Sequence, residues 1–122
     1  MHIKNVYLYA KNCLPAYVRM GKEFELHDSS CKPGELATVI ANLYGLGTTA
    51  AKQWHAHLAD TLRSIGFRPS WHNMDIWICR RKQRGKGYEY VGTHTHNLMV
   101  VSRDPEANMD KLQEKYQINK IQ

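Results

Sequence analysis

No run of the roughly 18 apolar residues that a membrane-spanning helix needs occurs anywhere in the sequence. There is no CxxC pair, and Cys13, Cys31 and Cys79 are odd in number and widely spaced. That spacing argues against a zinc ribbon and a disulfide framework and leaves ordinary reduced thiols. Internal repeats and low-complexity tracts are absent. The amino-terminal stretch, Met1 to Cys13, is polar by its tenth residue and has no small-residue cleavage site, so a signal peptide is not expected. These absences together predict an intracellular chain, cytoplasmic or nuclear, with no membrane partner.

What remains is an ordinary globular composition. The 122 residues suffice for one domain with a single modest core, expected to span 1–122. An apolar fraction of 43% and a charged fraction of 23% are typical of such chains. The formal charge of +6 favours polyanionic partners but says nothing about fold.

Helix and strand periods are legible in several segments. Ile3 to Tyr9, rich in Val, Tyr and Leu, predicts a mostly buried strand. Asn12 to Gly34, broken by Pro15, Gly21 and Pro33, predicts loop with a short strand near Tyr17 to Met20. Leu36 to Ile40 predicts another short strand. The strongest helix signal runs from Thr48 to Ile65, where Ala51, Trp54, Leu58, Leu62 and Ile65 form one apolar stripe and Gly66 and Pro69 stop the end. Within it His55 and His57 are two apart and do not share a face. Asp75 to Arg80, Tyr88 to Thr95 and Leu98 to Val101 predict strands, the last two joined by a tight turn at His96-Asn97. Asp104-Pro105-Glu106 opens a second helix with a cap and a first-turn proline, and Met109, Leu112 and Tyr116 supply its buried face. The order predicts an α+β fold, an antiparallel sheet with helices packed on one face.

Two segments at this separation, Leu43 to Phe67 and Tyr88 to Ser102, resemble the palm of a copia-type retrotransposon reverse transcriptase, an RNA-directed DNA polymerase of the Pol polyprotein. The first begins with Leu-Tyr-Gly-Leu and leads into a helix carrying Trp54; the second has the form of the hairpin that bears two adjacent aspartates at its tip. In the first-strand motif an Asp is followed, five residues on, by an aromatic residue and Leu. Here His2 stands in the Asp position, with Tyr7 and Leu8 in place. The resemblance implies a palm-like fold and covers nearly the whole chain, without the fingers, thumb and ribonuclease H domain of the family. In active members two magnesium ions are clamped by three aspartates. The matching positions here are His2, His96 and Asn97, so the resemblance implies a pseudoenzyme with no cofactor expected. With aspartates there, the charge of +6 would fall by three to +3, so half the basic excess follows from these substitutions.

Two substrate-pocket positions match the family: Tyr7 resembles its steric-gate aromatic and Gly45 its pocket glycine. Read without the family, they are a core tyrosine and a turn glycine. His94 and His96 share a strand face by alternation, and His2 joins them if the palm folds. Imidazoles suit zinc, copper or nickel better than magnesium, so His2, His94 and His96 form the last-ranked metal candidate. The run Arg80, Arg81, Lys82, Arg84 and Lys86 has the composition to hold phosphates, and equally that of a solvated hairpin turn. No aromatic residue interleaves with it, which counts against a single-strand-binding surface. The family partner is an RNA or DNA template-primer. The alternatives are a small basic nucleic-acid-binding module and a protein-interaction module that pairs with an intact reverse transcriptase.

Overall fold

The computed structural model describes residues 1–43, 48–80 and 87–119. Strands and helices follow in the order β1 (His2–Ile3), a 3-10 helix (Val6–Tyr9), β2 (Tyr17–Arg19), α1 (Lys22–Glu25), β3 (Leu36–Thr38), α2 (Thr48–Ser64) and β4 (Arg68–Pro69). They continue with β5 (Ile76–Arg80), β6 (Tyr88–His94), β7 (Asn97–Val101), α3 (Pro105–Gln113) and β8 (Ile118–Asn119). Six strands form one sheet in the order β4-β5-β6-β7-β1-β8, every neighbouring pair antiparallel. The β2 and β3 strands make a separate two-stranded ribbon. The fold is therefore mixed α+β, as the order of periods predicts.

Alternation divides the sheet into two unlike faces. Trp77, Val91, Leu98 and Ile3 point inward and join Trp54, Leu58 and Leu62 of α2 and Leu112 of α3 in one buried cluster. The side chains between them, including Ile76, Tyr88, Tyr90, Met99 and Val101, remain exposed on the other face. The α2 stripe runs through Trp54, Leu58 and Leu62, but its first member is Ala50, 2% exposed, because Ala51 turns to solvent. The helix ends where glycine permits it. Gly66 has φ +101°, its N–H reaches the Arg63 carbonyl at 3.1 Å, and the Phe67 N–H reaches the Leu62 carbonyl at 3.0 Å. That is a Schellman stop, and Leu62 and Phe67, both fully buried, close it. At the start of α3 the Asp104 side chain accepts from the Ala107 N–H at 3.2 Å, with Pro105 following as the first helical residue.

Two expectations are corrected. The predicted strand from Ile3 to Tyr9 stops after Ile3. Asn5 adopts the left-handed conformation at φ 51°, which Asn tolerates, and the chain coils into the 3-10 helix that buries Val6. The tight turn falls on Thr95 and His96 rather than on His96-Asn97, because Asn97 is committed to the ladder, paired with both His94 and His2. The left-handed residue is consequently Thr95, at φ 53°, an unusual conformation for a β-branched side chain.

Candidate functional site

The amino-terminal strand and the hairpin tip meet through one antiparallel pair. The Ile3 N–H donates to the His96 carbonyl at 2.9 Å and the Leu98 N–H to the Met1 carbonyl at 2.8 Å. These two bonds flank the His2–Asn97 pair, the arrangement in which facing side chains come closest. His2 Nδ1 accordingly lies 3.1 Å from Asn97 Oδ1, with the imidazole donating to the amide oxygen. The His96 ring meets the His2 ring edge-on, with centroids 4.5 Å apart at 81°. Residues far apart in the chain are thus gathered into one patch: His2, His96 and Asn97, the three positions singled out in the sequence.

The tip is fixed from below. Trp54 is 1% exposed, and its indole N–H donates to the Thr95 carbonyl at 2.8 Å. A buried indole needs such a partner, and here it comes from the turn whose backbone is strained. Helix α2 therefore positions the tip through one side chain. Beside the patch lies a cleft of about 560 Å³ lined by Met1, His94, Asn97 and Met99, with Asp75 its one carboxylate among the described residues. Asp75 Oδ1 is 3.3 Å from His55 Nε2, an exposed contact.

Two imidazoles and a carboxamide do not fit a pair of magnesium ions. Magnesium takes hard oxygen ligands, usually carboxylates, and this patch supplies no anionic oxygen. Among the described residues no three His, Cys, Asp or Glu side chains are grouped to hold a metal ion, so His94 does not complete the transition-metal set.

The other predicted positions scatter. Tyr7 is half-buried on the 3-10 helix, packed against the core cluster, not on a strand. Gly45 and the basic residues Arg81, Lys82, Arg84 and Lys86 lie outside the described residues. Arg80 ends β5, exposed, and its cross-strand neighbour is Tyr88. An aromatic side chain does therefore stand next to a cation, although none interleaves with the run in sequence.

A second cluster was not legible from spacing. His57 on α2 and Tyr116 after α3 meet at 2.8 Å through Nδ1 and the phenol oxygen, and Thr61 Oγ1 lies 2.7 Å from the same oxygen. Because the Thr61 hydroxyl donates to the His57 carbonyl at 3.1 Å, it accepts from Tyr116, and His57 Nδ1 must then donate to Tyr116. Burial pushes the Tyr116 phenol up to about 12. Burial, reinforced by nearby Lys115, holds His57 below the usual imidazole value. With Tyr9 stacked edge-on at 4.9 Å, the cluster pins α2 to the end of α3. The buried Glu89 of β6 ties the other end of α3 to the sheet. Its carboxylate accepts from Ser102 Oγ at 2.6 Å and from Asn108 Nδ2 at 3.2 Å.

Among the described residues no helix is long and apolar enough to cross a membrane. The chain matches no protein-family model, no curated protein and no solved structure.

Proposed function

We propose that the chain is a copia-type reverse-transcriptase palm in which two-metal nucleotidyl transfer has been lost. The observation that carries this reading is the convergence of His2 with His96 and Asn97, the last 95 positions away in sequence, on the uncovered side of a helix-backed sheet. That patch is where a palm would hold its three aspartates, and the Leu-Tyr-Gly-Leu segment and Trp54 helix that support the resemblance include the indole that holds the tip. With imidazoles and an amide there, the site is inert towards magnesium and the chain is a pseudoenzyme.

The test restores the carboxylates. His2→Asp, His96→Asp and Asn97→Asp together should create a site that takes up magnesium, read by calorimetric titration, while the parent chain gives no heat. Circular dichroism establishes that the variant is folded. A folded triple variant that ignores magnesium would overturn the assignment of these positions.

A protein-interaction module derived from the same palm is the second reading. It is favoured by the apolar side chains left uncovered between residues 11 and 43, among them Leu26 at 86% and Ile40 at 75% exposure.

A further inference from the structure

At the β4 edge of the sheet, remote from His2 and Asn97 in strand order, a cleft of about 940 Å³ is lined by Arg68, Trp71, His72, Ile78, Arg80 and Tyr88, among others. Among the described residues none that lines it is Asp or Glu. Trp71 is 100% exposed, and Tyr88 is 58% exposed. Large aromatic rings left wholly in water are uncommon in a folded chain and mark surfaces that contact something else.

The loop that presents Trp71 is ordered. The Ser70 N–H donates to the Ile76 carbonyl at 2.8 Å, the Asp75 N–H to Asn73 Oδ1 at 2.9 Å, and the His72 N–H to Ser70 Oγ at 3.3 Å. Arg68 is anchored through Nη1 to the Phe67 carbonyl at 3.0 Å, which leaves most of its N–H donors for another partner. Arg80 and Tyr88 are direct neighbours across β5 and β6. Two guanidinium groups, an imidazole and two exposed aromatic faces thus share one cleft on a chain of charge +6.

We propose that this cleft binds single-stranded nucleic acid, with bases stacked on Trp71 and Tyr88 and phosphates held by Arg80 and Arg68. Stacking needs unpaired bases because a duplex hides their faces, and it tolerates any base because each has a π face. Cationic groups alone would take any polyanion. The two exposed rings add the selectivity for unpaired bases. This inference does not rest on the palm ancestry, and it stands or falls separately from magnesium binding by the aspartate variant.

The intact chain reports its own binding. Trp54 and Trp77 are 1% and 3% exposed, so quenching of tryptophan fluorescence by a ligand reads Trp71. The chain is titrated with oligothymidylate and oligouridylate of about ten nucleotides, with the matching duplexes and with polyphosphate. Quenching by either single strand supports the proposal. By anisotropy of a labelled strand, Trp71→Ala and Tyr88→Ala should each weaken binding by roughly 5- to 150-fold. Arg80→Ala should lower the slope of log affinity against log salt by about 1. Trp71 touches water alone, so its variant should melt like the parent. Absence of quenching, equal or tighter binding of duplex, or aromatic variants that bind like the parent would each overturn the proposal.

Discussion

Residues 11–43 and the helix-backed sheet contain the same kinds of apolar residue and treat them in opposite ways. In the sheet and its helices Ile3, Trp54, Leu62, Phe67, Val91 and Leu112 are each 1% exposed or less. Between residues 11 and 43 only Val39 and Asn42 are buried, while eight large apolar side chains from Leu14 to Leu43 stand in solvent. The difference lies in what each element has to pack against. A six-stranded sheet with two long helices offers two faces that close on each other, whereas a two-stranded ribbon with a single-turn helix has no second layer. Backbone bonds hold the ribbon instead, such as Met20 N–H to the Glu35 carbonyl at 2.8 Å and Val39 N–H to the Ala16 carbonyl at 2.8 Å. It is tied to the rest through Asn42 N–H to the Ala10 carbonyl at 3.1 Å.

Leu62→Ala is the substitution that tests the packed side hardest. Leu62 is fully buried and closes the helix stop against Phe67, so its loss removes apolar contact and leaves a cavity at the centre of the cluster. The expected cost is about 2–5 kcal/mol, read as a lower urea midpoint with an unchanged slope. A loss below roughly 1 kcal/mol would mean that the cluster repacks freely and that the two regions differ less than their burial suggests.

The helix of the packed region was legible in the sequence because Trp54, Leu58, Leu62 and Gly66 are local signals at one period. The register of β6 and β7 was nearly legible: alternation gave both strands, and only the commitment of Asn97 to two neighbours, invisible locally, moved the turn by one residue. No pattern within either segment links His2 to Asn97. Pairing between strands 95 residues apart leaves no periodic trace. The cleft at the β4 edge escaped for the same reason, with Arg80 and Tyr88 separated in sequence by the basic run and adjacent across two strands. A tryptophan inside a polar turn, Ser70 to Asp75, was the one signal that could have drawn attention to it.

Tyr116 offers a test intermediate in size and specific to the packed region. Its phenol loses a proton near 10 in the unfolded chain and near 12 in the folded one. Below pH 10 both states carry the proton. Between 10 and 12 the unfolded chain binds fewer protons than the folded chain, so stability falls as pH rises. Tyr116→Phe should remove that alkaline limb from a plot of melting temperature against pH. Near neutrality the same substitution should cost about 1 kcal/mol through the lost bonds to Thr61 and His57. On the acid side His57 works in the opposite direction. Below its ordinary value of 6.5 the unfolded imidazole takes up a proton that the folded one resists, so stability falls as pH drops. An alkaline limb that survives in the phenylalanine variant would assign it to another group.

Leu26→Ser should have the smallest effect, and it separates the two regions most cleanly. Leu26 is 86% exposed at the end of α1, so folding withdraws little of its surface from water and the substitution forfeits little hydrophobic stabilisation. A shift within about 0.5 kcal/mol is expected by the same urea melt that registers Leu62→Ala. The informative result is the opposite one. If serine at this position lowered the midpoint by as much as a core truncation, Leu26 would have to be covered in solution, and a second copy of the chain is the cover to test first. Repeating the melt at several protein concentrations then decides the matter. A midpoint that rises with concentration signals self-association, because a partner that binds only the folded chain stabilises it by mass action. A midpoint independent of concentration, together with an insensitive Leu26, leaves residues 11–43 as a hydrogen-bonded appendage in which the exposed Leu26 adds little to the stability of the fold.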